Sequence, residues 1–363
     1  MLTPPTLTLG FETSCDETAC AVVRDGRFVL SNAIATQTEL HEGYGGVVPE
    51  IAGRAHVERI VPVLRRAVAD SGVSLADINA VAVGHRPGLI GSLLVGVTAA
   101  KAAALALGVP LVGVDHVQAH LIAGMLDVQA DPPMPALGLV VSGGHTAMYY
   151  VPSAVQAVRL GTTRDDAVGE AYDKAATILG LSYPGGPKLD ALAQQPGADD
   201  HAVDLPVSRL ERGSLDFSFS GLKTAVLYAV RGVPSRPGAP TPPPPPPMTP
   251  QRTRDLAASF QRAACAAIIL KLGRALDSLN ERDIECKSLL AGGGVTANSR
   301  LRIELAALAQ ERGLALRLPR LGYCLDNAAM IAALGGRLHT AGHADDLTLR
   351  AHPSSDIPTR HAL

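Results

Sequence analysis

Apolar runs broken by short polar turns set the first pattern along the chain. "LTLGFETSCDETACAVVRDGRFVLSNAIAT" reads as a strand, a tight turn at Glu12–Glu17, a second strand, a hairpin turn at Asp25–Gly26 and a third strand. "AHVERIVPVLRRAVADSG" carries apolar positions at helical spacing and is closed by Gly72. "INAVAVGHRPGLIGSLLVG" is a buried strand, a Gly/Pro loop and the start of a helix, and "LVGVDHVQAHLIAG" is a strand running into a helix with two histidines. The most apolar helix, at 91–108, has Lys101 in its middle and is short for a membrane span, so it reads as a buried core helix.

The second half begins in the same way. "ALGLVVSGGHTAMYYV" is strand, Ser/Gly turn, strand; "CKSLLAGGGVTANSRLRIELAALAQERG" is strand, glycine turn, helix; "LRLPRLGYCLDNAAMIAALGGRLHTAG" leads from strand and loop into a last helix. Two strand–turn–strand units, each followed by helices, predict a duplicated α/β architecture with a cleft between its halves.

With 363 residues the chain is long enough for two domains. Its net charge of −2 excludes nucleic-acid binding by a global basic field, so such binding must be local or shared with a partner. The cysteines (Cys15, Cys20, Cys265, Cys286, Cys324) are scattered without CxxC spacing, which predicts a reduced cytosolic protein with neither disulfide frame nor thiolate zinc site. "MLTPPTLTLG" lacks the basic and apolar regions of a signal peptide. "VPSRPGAPTPPPPPPMTP" breaks the pattern, and the run Pro242–Pro247 forces an extended chain. It reads as a solvent-exposed insertion, with a docking site for a proline-reading partner as the second reading.

Three features carry candidate chemistry. The turns Ser142–Gly143–Gly144–His145 and Gly292–Gly293–Gly294 each follow an apolar strand, where backbone N–H groups approach an anion closely. Neither fits a Walker loop or a GxGxxG fingerprint. "TTRDDAVGEAYDKAATILGLSYPGGPKLDALA" is dense in polar groups: Asp165 and Asp166 precede a helix as candidate caps, and Asp173 and Asp190 are caps or carboxylates aimed at substrate hydroxyls. His116 and His120, four apart on a helix, share one face and can hold one metal. A zinc protease needs Glu directly after the first His, and Val117 stands there. Asp326, in a loop before a helix, is a candidate third ligand, and two histidines with one carboxylate suit Fe(II), with zinc open.

Together "GFETSCDETACAVV", "VVPEIAGRAHVERI", "DHVQAHLIAG", "LVVSGGHTAMYY", "DDAVGEAYDKAATILGLSYPGGPKLD", "DFSFSGLKTAV", "GGGVTANSRLR" and "CLDNAAMIA" resemble the TsaD family of tRNA N6-adenosine threonylcarbamoyltransferases, in order, from about residue 7 to about 343. The resemblance implies an α/β fold of two duplicated actin/Hsp70/sugar-kinase-like (ASKHA) lobes around a cleft. The N-terminal lobe would span 1–115, with a C-terminal helix around 326–343 packed back on it, and the second lobe 116–325, with the Pro-rich insertion at 234–250. It further implies transfer of threonylcarbamoyl from threonylcarbamoyl-AMP to N6 of the adenosine beside the anticodon in ANN-decoding tRNAs. The family's ligands for one divalent metal, usually Fe(2+), map onto His116, His120 and Asp326. Its substrate positions map onto Val141, Ser142, Gly143, Gly144, His145, Asp173, Gly186, Asp190 and Asn298, with no covalent nucleophile.

The resemblance also implies TsaB-like and TsaE-like partners, a cytoplasmic location and no membrane. A metallopeptidase and a nucleotide-binding regulatory module of the same fold are the alternatives. Two departures stand out: "GHRPGL", with His85 and Arg86, where relatives usually carry an "AGPGL"-like loop, and the polyproline insertion. His85 and Arg86 either alter the approach of nucleotide or tRNA or are a surface loop change.

Overall fold

A computed structural model describes residues 5–234 and 244–359. The first sheet is built from the hairpin strands β1 (Leu7–Glu12), β2 (Glu17–Arg24) and β3 (Phe28–Thr36), then β4 (Ala80–Arg86) and β5 (Leu111–Asp115). Its order is β3-β2-β1-β4-β5, antiparallel through the hairpins and parallel from β1 onward. The short α1 (Thr38–His41) and the long α2 (Pro49–Ser71) connect β3 to β4, α3 (Ile90–Leu107) connects β4 to β5, and α4 (His116–Ile122) follows β5. Gly72 closes α2 in the left-handed conformation that a helix end favours.

The second sheet repeats this plan. β6 (Ala136–Val141), β7 (Thr146–Ser153) and β8 (Gln156–Thr162) form its hairpins, and β9 (Ser288–Gly292) and β10 (Ala315–Arg317) extend it in parallel, giving β10-β9-β6-β7-β8. Between β8 and β9 lie α5 (Val168–Ile178), α6 (Gly185–Ala193), α7 (Ser220–Arg231) and α8 (Pro250–Asn280); α9 (Ser299–Glu311) joins β9 to β10, and α10 (Ala328–Thr340) follows β10. Pro244–Pro247, between α7 and α8, are in neither helix nor strand, while Pro242 and Pro243 lie outside the described residues.

The helix after each sheet crosses to the other one. α4 packs on β6 and β9, α10 packs on β1, β2 and β4, and the two helices touch. Every strand residue of β1 and β6 is therefore buried, because both faces of each sheet are covered. α10 is apolar on all sides from Ala328 to Gly336 and buried throughout that stretch. Burying each of Met330, Ile331 and Leu334 is worth about 1.5–3 kcal/mol. A middle core joins α4, α10 and the inner faces of both sheets, flanked by one outer core under α2 and α3 and another under α5, α8 and α9.

Two expectations need correction. α3 is not a buried core helix: Leu93, Val97 and Ala100 face the sheet, but Ile90, Leu94 and Leu105 are exposed. It lies on the outer face beside α2, so only one side meets the core. Asp165 and Asp166 do not cap the helix that follows them. Asp165 instead accepts from the Phe219 and Ser220 N–H groups at 2.8 and 3.2 Å, capping α7 from outside. Asp166 pairs with Lys174 and Lys223.

The crossing of α10 depends on close contact at Gly335, where a Cβ would come 2.3 Å from the Ala82 Cβ in β4. Helix propensity alone predicts that Gly335→Ala gains about 1 kcal/mol. Overpacking reverses the sign, so the variant should lose about 1–3 kcal/mol in denaturant unfolding.

Candidate functional site

The two crossing helices meet at their N-termini, and the histidines come from one and the carboxylate from the loop before the other. Asp115 caps α4, accepting from Val117 N–H at 3.0 Å and Gln118 N–H at 3.1 Å. His116 and His120 then lie one turn apart, with ring centroids 4.7 Å apart and near-perpendicular planes. Asn327 caps α10 through Met330 N–H at 3.0 Å and ties its own amide to the Leu325 carbonyl at 2.8 Å, which fixes the neighbouring Asp326. Asp326 Oδ1 stands 3.0 Å from His120 Nε2 and 3.5 Å from His116 Nε2. One nitrogen from each histidine and one oxygen of the aspartate lie within 4.8 Å of one another.

Glu12, at the end of β1, completes the cluster, and sequence reasoning missed it. Its Oε2 accepts from His116 Nδ1 at 2.9 Å, which turns Nε2 toward Asp326 and His120. Ser14 Oγ lies 3.2 Å from the same Nδ1. The only signal in the sequence is a charged residue closing an otherwise apolar strand just before a polar turn.

The electrostatics favour a cation. Burial alone lowers the His116 imidazolium, but the Asp326 and Glu12 charges and the Glu12 hydrogen bond raise it to about 9. Burial would raise the Asp326 carboxyl, yet His116 and His120 hold it well below the usual carboxylate range. Burial keeps His120 below its ordinary value. Two buried imidazole nitrogens and a partly buried carboxylate, with a second carboxylate orienting one ring, fit a divalent first-row metal.

The Ser142–His145 turn faces this cluster. His145 N–H donates to Ser142 Oγ at 3.0 Å, and Ser142 N–H to the His145 carbonyl at 2.8 Å. The exposed Gly143 and Gly144 amides make no hydrogen bond among the described residues. The His145 ring sits 6.4 Å from that of His116, and burial and both neighbouring imidazoles push it down to about 4. Val141, just before the turn, is buried at the end of β6.

Gly292 and Gly293 have a packing role. A Cβ on Gly292 would lie 1.9 Å from the His120 carbonyl and one on Gly293 2.3 Å from the Val141 carbonyl, so they let β9 approach α4 and β6.

The other substrate candidates form two smaller groups. Asp173 Oδ1 accepts from Gly185 and Gly186 N–H at 2.8 and 3.2 Å, at the start of α6. Asp190 takes Gln261 Nε2 at 2.9 Å and the Ser299 hydroxyl at 2.7 Å. Asn298 caps α9 through Leu301 N–H and donates to Gln261 Oε1 at 3.2 Å. Gln261 and Ser299 thus join a network in which sequence reasoning had named only Asp190 and Asn298.

The profile of the family described as "TsaD: tRNA N6-adenosine threonylcarbamoyltransferase" matches residues 28–333. A protein of that name from Symbiobacterium thermophilum is 49% identical over 347 residues, 96% of this chain and 96% of its own. One from Bacillus cereus is 46% identical over 353 residues, 97% of both chains. Among solved structures, T. kodakarensis HypF aligns over 95% of this chain and 49% of its own, with TM-score 0.56 and 16% identity, a likeness of fold.

Replacing Glu12 by Gln keeps the shape of the side chain and removes the charge behind His116. Zn2+ affinity, read by chelator competition, should fall by about tenfold to a hundredfold. An unchanged affinity would separate Glu12 from the site.

Proposed function

The chain belongs to the TsaD family and has its activity, tRNA N6-adenosine threonylcarbamoyl transfer, and from that premise we propose how its site performs the reaction. The donor is threonylcarbamoyl-AMP, and the acceptor is the adenosine beside the anticodon of ANN-decoding tRNAs. With tRNA as substrate, the cytoplasm follows as the compartment. What carries this reading is the meeting of His116, His120 and Asp326, from opposite halves of the chain, with the His145 ring of the glycine turn 6.4 Å from that of His116.

His116, His120 and Asp326 hold one divalent ion, Fe(2+) or Zn(2+), which when bound supplies Lewis acidity to a carbonyl. Glu12 keeps the His116 proton on Nδ1. The Gly143 and Gly144 amides donate to the donor's phosphate or to the developing oxyanion, and Val141, Ser142 and His145 shape that turn. Asp173, whose Oδ2 makes no hydrogen bond among the described residues, accepts from a ribose hydroxyl beside Gly186. Asp190 and Asn298, ordered through Gln261, frame the nucleotide. The adenine N6 attacks the carbamoyl carbon: the N–C bond forms, the C–O bond to phosphate breaks, AMP leaves and N6 gives up a proton. A peptidase reading fails at the buried Val117, which offers no base.

A TsaB-like paralogue is the partner this reading needs, and its docking face is on α2 and α3. These helices cross where Gly53 faces Gly91, and beside that crossing Val57, Val61, Ile90 and Leu94 are exposed, Val57 to 64% and Leu94 to 52%. Apolar residues grouped in this way mark an interaction surface.

Two measurements test these statements. Asp326→Ala or His120→Ala should abolish N6-threonylcarbamoyladenosine formation in a reconstituted assay with tRNA, and modification at the wild-type rate would remove the metal's role. Leu94→Glu should stop co-elution with a TsaB-like protein in size-exclusion chromatography while the chain itself stays folded. Persistent co-elution would move the interface elsewhere.

A further inference from the structure

Beyond α10 the chain turns back and crosses both lobes. Asp345 N–H donates to the Leu111 carbonyl at the edge of the first sheet at 2.8 Å, and Gly113 N–H donates to Asp345 Oδ2 at 2.8 Å. Leu349 then lies against Gly113. At the far end Ile357 is buried in the middle core. There Arg159 N–H, on the edge strand of the second sheet, donates to the Pro358 carbonyl at 2.7 Å. Residues 345–359 are thus a strap tied to one edge of each sheet.

His85 and Arg86, the two residues that set "GHRPGL" apart, bind this strap. His85 Nδ1 is 2.8 Å from the Arg350 carbonyl, which only accepts, so Nδ1 carries the proton. His352 N–H donates to the His85 carbonyl at 2.9 Å. Arg86 pairs with Asp356 and stands 3.9 Å from Asp115. Ser355 donates its hydroxyl to Asp115 Oδ2 at 2.6 Å.

We infer that the strap positions the helix carrying the metal ligands: Ser355, with Arg86 behind it, holds Asp115 so that its other oxygen caps α4 ahead of His116 and His120. Asp115 is a buried carboxylate with a separate task for each oxygen. Without Ser355, Oδ2 loses its hydrogen bond and keeps only Arg86 at 3.9 Å, and a buried acceptor in that state draws the side chain away toward other partners. A seven-residue helix cannot keep its first turn by propensity alone, so a displaced cap frees both imidazoles. Ser355 and Arg86 are positioning residues, and the inference rests on the metal reading given above.

The test uses the full chain with Ser355→Ala, Ser355→Thr, Arg86→Gln and His120→Ala. Ser355→Ala should weaken Zn2+ binding roughly threefold to tenfold in chelator competition. It should also speed amide exchange at Val117 and Gln118, and lower kcat with KM for tRNA unchanged. Ser355→Thr, which keeps the hydroxyl, should restore all three, and Arg86→Gln should move them the same way by less. If Ser355→Ala and Arg86→Gln bind Zn2+ and exchange like wild type, well below their melting temperatures, while His120→Ala loses Zn2+, the strap inference is overturned alone. Unchanged Zn2+ affinity in His120→Ala overturns the metal reading instead.

Discussion

The exchange of α4 and α10 between the lobes is the constraint on which the rest of the structure depends. The inner face of each sheet is covered chiefly by the helix that follows the other sheet. The middle core is therefore shared, and neither lobe can bury its apolar strands without its counterpart. The same exchange turns the N-termini of the two helices toward each other. His116 and Asp326, two hundred and ten positions apart in the chain, are thereby brought to 3.5 Å.

That convergence has an electrostatic cost that the site's own composition offsets. Glu12 is a fully buried carboxylate and Asp326 a mostly buried one, and isolated buried charges are unfavourable by several kcal/mol each. The two imidazoles and the hydrogen bond from His116 to Glu12 compensate them. The geometry is held from behind at three points: Asp115 on α4, Asn327 on α10 and the close approach of Gly292 to the His120 carbonyl. A cation between them would complete an arrangement already shaped by opposite charge.

Much of the fold was legible in local pattern. The two hairpin units, the helix closed by Gly72 and the strand-to-helix passage at Asp115–His116 follow from periodicity and turn chemistry, which act over a few residues. What failed were inferences about what lies across space. Asp165 looks like the cap of the next helix, yet its loop lies against Phe219 and Ser220, so it caps another. The apolar helix α3 looks like a core helix, but Ile90, Leu94 and Leu105 on its outer side are exposed. His85 and Arg86, read as altering the approach of nucleotide or tRNA or as a surface loop change, meet the C-terminal strap at the end of β4.

For the site, the sequence by itself determined the kinds of groups: two histidines on one helical face, a carboxylate before a helix and glycine turns after apolar strands. Val117 after His116 also removed the protease base from the sequence alone. Only the tertiary structure decided that Glu12 stands behind His116, that Gly292 and Gly293 serve packing, and that Ser355 reaches Asp115. The physical reason is range. Helix spacing and turn preference are set by neighbours in the chain, whereas second partners of a ligand come from strands and tails whose positions depend on how two sheets share one core.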